Sequence, residues 1–367
     1  MKRESVLLGR DWQATVERLG GTAGLDESAR ASKAFSRARG IKSAADLLRL
    51  VLAYCLGETG LRSTAVWAAA VGLADISNVA VLHRLRCCGD WLSLLIGKAL
   101  ACSPPAAAHG RLIRLIDATV VPQGGLRARK SGKLWRIHAA FDLPHERFSH
   151  FELTDQSGGE RIDRIPVVAG EIRIGDRAHL QPDRIARVLE ASADILVRAA
   201  WNGARWLDPE GRSFDLIGAL RAADQAELID QTIWVGRNEG APLALRLVAV
   251  KKSPTACAAA RRKARRDAKR HGNTISQATL TAADWVILVT SLDATIFSTN
   301  DILALYRLRW RIELGFKRLK SLVGLKGPPG TDERSAKPWL LAHLLIILLL
   351  EPSVDELEDS PRWLLAA

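Results

Sequence analysis

Ser298–Lys320 reads STNDILALYRLRWRIELGFKRLK, with apolar residues at helical spacing and a second set of polar residues sharing one face. Ser298 or Thr299 can cap such a helix. Asp301 suits its first turn, where unpaired backbone N–H groups favour a carboxylate. At about 100° per residue, Tyr306, Arg309, Glu313 and Lys320 fall within an arc of roughly 60°. Leu305, Leu308, Ile312, Phe316 and Leu319 form a packing stripe, and Arg307, Arg311 and Arg318 a basic side. One continuous helix is expected. The plain reading of Glu313 is as the ion-pair partner of Arg309 and Lys317, each four residues away on a solvated face. The alternative is a carboxylate carried toward a site.

Composition bounds what that site acts on. The chain has 367 residues, 48% hydrophobic, and a formal charge of +13, enough for two or three domains and incompatible with a disordered chain. Such an excess of Lys and Arg suits a polyanion, because clustered cations gain affinity by displacing counterions from phosphates. Nucleic acid fits better than a membrane, since no basic amphipathic anchor is flanked by lipid-facing aromatics. The apolar run Trp339–Leu350 includes His343 and falls short of the roughly 20 residues a bilayer needs, so a buried core helix is expected. The start, MKRESVLLGRDW, has too short an apolar run for a signal peptide, and a cytoplasmic, nucleoid-associated location is expected. Five cysteines, Cys55, Cys87, Cys88, Cys102 and Cys257, form no CxxC pair and read as reduced, buried thiols.

Along the chain, residues 1–109 read as helical. Leu61–Val71, a turn through Gly72, and Ser77–Arg86 resemble a helix-turn-helix with His83, Arg84 and Arg86 available for DNA, or equally an ordinary helical hairpin. The linker Ser103-Pro104-Pro105 follows, and then the period changes to that of strands. Arg111–Ile116 is a short apolar strand ending at Asp117, Leu134–Asp142 and Phe148–Thr154 continue a meander, and Glu171–Gly175 is a strand ending at Asp176. Gly175 lets backbone approach closely there. A helix over Gln181–Ala191, a strand over Ala193–Ala199 and a strand over Trp285–Thr290 come next. This order is that of a ribonuclease H-like core. Asp117 and Asp176 stand 176 − 117 = 59 apart and Asp176 and Glu313 stand 313 − 176 = 137 apart, so a β-rich insertion occupies 201–284. It includes a basic run from Ala258 to His271 that suits a DNA surface. The expected organisation is a helical DNA-binding region at 1–109, an α/β core at 110–200 and 285–350 around the insertion, and a tail at 351–367.

The pattern Tyr306-x2-Arg309-x3-Glu313-x6-Lys320, with Gly175-Asp176-Arg177 and Asp117, resembles the fourth family of bacterial insertion-sequence transposases, whose helix carries a Tyr-Arg-Glu-Lys motif beside an Asp-Asp-Glu site. The resemblance runs from about Leu112 to Leu350, and it implies that the helical region at 1–109 is the end-binding region. It implies that Asp117, Asp176 and Glu313 are catalytic and hold two Mg²⁺ ions, with Mn²⁺ able to substitute, Asp117 bridging both. It implies that Tyr306, Arg309 and Lys320 hold DNA phosphates. Trp285, in Trp285-Val286-Ile287-Leu288-Val289-Thr290-Ser291, looks like the tryptophan that stacks on a flipped base; its plain reading is core. Two metal ions would activate water or a 3′ hydroxyl and stabilise the leaving oxygen, so no protein nucleophile is needed. The implied partners are double-stranded DNA, as transposon ends and target, and a second copy of the chain. The implied activity is metal-dependent cleavage and strand transfer, cut-and-paste through a hairpin. A nuclease of the same fold without strand transfer, and an inactive DNA-binding regulator, are the rival readings. Asp142 reads as a structural carboxylate, and His138 and His179 as hydrogen-bonded or phosphate-facing groups.

Overall fold

The computed structural model of the chain describes residues 12–57, 59–101, 107–108, 111–122, 134–143, 147–322, 325, 327–329 and 332–357. The Ser103–Pro105 linker, the turn at 144–146 and the end of the tail lie outside the described residues.

The N-terminal region is helical, as its spacing predicts: α1 (Trp12–Arg18), α2 (Gly21–Ala31), α3 (Ala44–Leu56), α4 (Leu61–Ala70), α5 (Asn78–Cys87) and α6 (Gly89–Ala101). Ser43 caps α3 by accepting from Asp46 N, and Ser77 caps α5 by accepting from Ala80 N. Gly72 turns the chain between α4 and α5 at φ +69, a conformation that costs glycine little. Arg86 on α5 has partners within the fold. It pairs with Asp332 at 2.7 Å and donates to Ser335 at 3.0 Å, both beside the C-terminal helix α13 (Glu333–Leu357). That helix also packs on α6 and α3, and residues 339–349, His343 included, are all buried. Among the described residues no helix is long and apolar enough to cross a membrane. Cys55 and Cys88 are buried as expected, whereas Cys87 is exposed and Cys257 half-buried.

The described residues form ten strands of one mixed sheet: β1 (Ala107–Ala108), β2 (Arg111–Pro122), β3 (Leu134–Leu143), β4 (Arg147–Asp155), β5 (Ile172–Gly175), β6 (Asp194–Arg198), β7 (Trp206–Leu207), β8 (Leu228–Val235), β9 (Leu243–Lys251) and β10 (Trp285–Thr290). β1 pairs with β2, and the others run β4-β3-β2-β5-β6-β10-β9-β8-β7. The first five of these form an antiparallel meander continued by two parallel strands, consistent with the ribonuclease H-like core expected from the sequence. One expectation needs correction: β2 does not end at Asp117, because its antiparallel pairing with β3 carries it to Pro122. β9 and β6 both pair with β10, so the inserted strands extend the same sheet.

One face of the sheet is covered by the N-terminal helices together with α11 (Thr299–Arg307), α12 (Trp310–Leu322) and α13. The other is covered by α7 (Pro182–Glu190), α8 (Leu216–Ala222) and α10 (Gln277–Ala283). The expected single helix over 298–320 is therefore two. Ser298 caps α11 in a reciprocal capping box with Asp301. The helical ladder then gives way, as Leu308, Arg309 and Arg311 N–H donate only three residues back.

A buried ion network ties the central strands together. Arg114 on β2 donates to both oxygens of Asp142 on β3, at 2.8 and 2.9 Å, and pairs with Glu171 at 2.8 Å. Glu171 pairs in turn with Arg173 on β5 at 2.6 Å, both fully buried, and Arg173 donates to the carbonyls of Ile162, Ile165 and Pro166. Asp142 is thus structural. Removing one member of such a network leaves a buried charge alone. Glu171→Ala is expected to cost about 3–5 kcal/mol in denaturant unfolding, and a loss under about 1 kcal/mol would show that the network does not hold these strands.

Candidate active site

The site is built from alternation on two parallel strands. Side chains two apart on a strand share a face, so Ile113, Leu115 and Asp117 on β2 point one way, while Ile172, Ile174 and then Asp176 follow the same face from β5. The strands pair in parallel with Leu115 opposite Ile174, and carrying that register on by two residues sets Asp117 beside Asp176. Asp117 is mid-strand against β3 but just past the end of pairing with β5. Its carboxylate therefore stands where the parallel pair opens.

Electrostatics agree with this proximity. Burial pushes the Asp117 carboxyl up to about 6, the charge of Asp176 adds to the rise, and a hydrogen bond from Ala118 N at 2.8 Å with His179 and Arg309 pulls against it. Asp176 is held below the usual carboxylate range, chiefly by its hydrogen bond with His179 Nδ1 at 3.0 Å. His179 is 1% exposed, so it is a positioning group. Gly175 makes its place: a Cβ there would lie 2.8 Å from the His179 ring. His138 is also buried and hydrogen-bonded, to Thr154 at 3.0 Å, and is pushed down to about 4 by burial, Arg164 and Arg136.

Glu313 stands in the first turn of α12, and with Asp117, Lys317 and Lys320 it lines a cleft of about 540 Å³. Gly315 lets α12 lie close to the sheet, since a Cβ there would meet Phe148 at 2.8 Å and Phe141 at 3.3 Å. A glycine inside an otherwise strong helix pattern was the available signal for that contact. Arg309, in the turn between α11 and α12, pairs with Glu313 and stands 3.8 Å from Asp117. Tyr306 is half-buried on α11, and burial pushes its hydroxyl up while the nearby Arg309 and Arg198 pull it down. The structure thus gathers Asp117, Asp176, Glu313, Tyr306, Arg309 and Lys320 around one locality. It does not bring Trp285 there. Trp285 is 1% exposed within the core of the opposite face, so a base could stack on it only if that packing opened.

The donor set fits a hard divalent cation in part. Asp117 and Asp176 are adjacent oxygen donors whose mutual repulsion a cation would relieve. Glu313 is 55% exposed and turned to Arg309. Among the described residues no three His, Cys, Asp or Glu side chains are grouped as metal ligands.

Neighbouring carboxylates on a mixed sheet, facing a glutamate and two lysines across a cleft, suit an enzyme of phosphoryl transfer. A family model for the transposase DDE domain matches residues 108–349. The chain is 38% identical over 361 residues, 96% of both chains, to the putative transposase InsL for insertion sequence element IS186A of Escherichia coli (strain K12). It is 38% identical over 362 residues, again 96% of both, to the transposase for insertion sequence element IS421 of Escherichia coli. The chain belongs to the DDE transposases of insertion sequences and is a DDE-type transposase enzyme.

The raised Asp117 carboxyl has a sign in stability. Its folded value of about 6 lies above the ordinary carboxyl value of 3.8, so the metal-free fold favours the protonated form and loses stability as pH rises from about 4 through about 6. Asp117→Asn keeps an acceptor for Ala118 N–H without the charge. It is expected to raise stability at pH 8 by on the order of 2 kcal/mol and to change little near pH 4. Thermal melts at the two pH values check this, and equal effects at both would refute it.

Proposed function

We propose that this chain is an insertion-sequence transposase of the Tyr-Arg-Glu-Lys type, which binds the terminal inverted repeats of its element and cuts and rejoins DNA at the cleft between β2, β5 and α12. The observation that carries this reading is the register that sets Asp117 beside Asp176 on the face where α12 presents Glu313. Family membership supports the class; the four-letter motif supports the type.

In this reading Asp117 and Asp176 hold the divalent cation, Mg²⁺, with Glu313 completing the set once Arg309 releases it. When bound, the cation supplies Lewis acidity to the scissile phosphate and to the attacking hydroxyl. Lys317, Lys320, Tyr306 and Arg309 position phosphates on either side of that bond. A DNA phosphate competes for the Arg309 guanidinium, because a bidentate phosphate contact replaces its present carboxylate partners. In the first step water attacks phosphorus, the new P–O bond forms as the P–O3′ bond breaks, the water's proton leaves to solvent and the 3′ oxygen takes one up. The freed 3′ hydroxyl then attacks phosphorus in the opposite strand, closing a hairpin as the P–O3′ bond to the flanking DNA breaks and its 3′ oxygen takes up a proton. Water opens the hairpin and restores the 3′ hydroxyl, which attacks target DNA as a target P–O3′ bond breaks. A pair of chains acting on paired ends completes the cut-and-paste cycle.

Cleavage assays on DNA carrying the terminal repeats test this. With Mg²⁺ the protein is expected to nick, form hairpins and join ends; Asp117→Asn, Asp176→Asn and Glu313→Gln each reduce cleavage by at least about 10³-fold with binding nearly unchanged. Wild-type cleavage by any one of them removes that residue from the site, and nicking without joining points to a nuclease. Arg309→Ala is expected to reduce cleavage and lower the salt slope of binding by about one. An unchanged slope with normal cleavage would leave Arg309 only its ion pairs.

A further inference from the structure

The helix α9 (Pro254–Arg270) of the inserted region buries none of its residues. Its inner side is small and neutral, Ala260, Ala264 and Ala268, and one bidentate pair, Arg261 with the buried Asp284, fastens it to the start of β10. Its outer side carries Arg262, Lys263, Arg265, Arg266, Lys269 and Arg270, all exposed and none ion-paired among the described residues. The one acidic residue among them is Asp267.

This arrangement works against the helix. Arg262 faces Arg265 and Arg266, Lys263 faces Arg266, Arg265 faces Lys269, and Arg266 faces Lys269 and Arg270, and like charges three or four residues apart each weaken a helix by a few tenths of a kcal/mol. A regularly spaced polyanion turns the same charges into a favourable contact.

Sheet register says where α9 begins. Gly175 at the end of β5 is opposite Val197 on β6, and Arg198 follows; β6 runs antiparallel to β10, whose first residue, Trp285, is opposite Lys251 at the end of β9. The carboxyl ends of β5, β6 and β9 therefore lie along one edge of the sheet, with Asp176 at one end of that edge and α9 leaving from the other. Between them stand Arg177, Arg198 and Lys252, close enough that Arg198 disfavours the charge of Arg177 and both arginines disfavour that of Lys252, beside the burial of each. Positive ground is continuous from the cleft to α9. α9 belongs to the side of the sheet covered by α10, opposite the side that carries the N-terminal helices.

We infer that the outer face of α9 binds the phosphate backbone of duplex DNA on the far side of the scissile bond from the terminal repeat, that is, the DNA flanking the element. This rests on the transposase reading, in which the N-terminal region holds the repeat. With 17 residues at about 1.5 Å each, α9 spans roughly seven base pairs of duplex, and its cations match phosphates without reading sequence.

The test compares two duplexes bearing the terminal repeat, one blunt at the cleavage point and one extended by about 20 base pairs of flanking DNA. The variant is R262A/R265A/R266A/K269A. Alanine is the best helix former, so circular dichroism is expected to show α9 intact. The wild type is expected to bind the extended duplex with the steeper dependence of log K on log salt. The variant is expected to lose a slope of about 3 to 4 on that duplex and nothing on the blunt one, at about 0.9 per phosphate contact. A variant that keeps the wild-type slope on the extended duplex, or loses it equally on both, overturns the α9 surface and leaves the transposase reading standing. A wild type that binds neither duplex overturns both.

Discussion

The buried ion network of Asp142, Arg114, Glu171 and Arg173 is the constraint on which the rest of this fold depends. Parallel strands have no hairpin turn to set their register, and a slip of one residue turns every side chain to the other face. Arg114 and Arg173 are directly opposite on β2 and β5, and Glu171 lies between their guanidinium groups. A slipped pairing would strand at least one of these charges without a partner in the interior, a penalty of several kcal/mol. The network therefore selects one register, and that register sets Asp117 beside Asp176. Structural charges on one face of the strands align functional charges on the other.

Alignment of this kind has an energetic consequence. Two carboxylates brought together at the edge of a core repel, and burial together with the charge of Asp176 lifts the Asp117 carboxyl to about 6 against its stabilising neighbours. The chain offsets part of this with the Ala118 N–H, with His179 on Asp176 and with Arg309 across the cleft. None of these neutralises the pair as completely as a divalent cation would. Residual repulsion of this sort is how a folded site acquires affinity for a charged ligand, since binding relieves a cost that folding left in place. Arg309 is the one offset that comes from outside the sheet and its loops: it lies in a turn between two helices, and both groups it faces are carboxylates.

How much of this was legible in the sequence differs by the range of the interaction that decides it. The strand Trp285–Thr290, the capping of α11 by Ser298 and the buried run from Trp339 follow from local pattern and appear as read. Asp117, Asp176 and Glu313 follow from motif, and their convergence does not follow from spacing, because the register that aligns the first two is written in Arg114 and its partners 142 − 114 = 28 and 171 − 114 = 57 positions away, which reveal nothing until paired. The break before Arg309 was missed because the wheel assumes one axis and no glycine or proline marks the turn. Trp285 shows the same limit: whether an aromatic at a strand start meets solvent or core depends on the helix packed over it, here in the second cluster. Arg86 looked free on the helix-turn-helix for want of any local sign of Asp332.

The insertion was legible as extra chain but not as part of the sheet, and this bears on how the enzyme can move. β10 is paired along its whole length with β9 and with the end of β6, so the inserted strands are joined to the catalytic strands by backbone hydrogen bonds buried between two cores. Swinging the insertion as a body would break those bonds without water to replace them, each at a cost of about 1–3 kcal/mol. Rearrangement around DNA must therefore fall to parts outside the ladder. The candidates are the turn that carries Arg309 and the helix α9, none of whose residues is buried and which is held by Arg261 on Asp284, by the Cys257 thiol on the carbonyls of Lys252 and Asp284, and by its contact with α10. The hydrogen-bonded ladder holds Asp117 and Asp176 in register, and the parts outside it carry Arg309 and the exposed cations of α9.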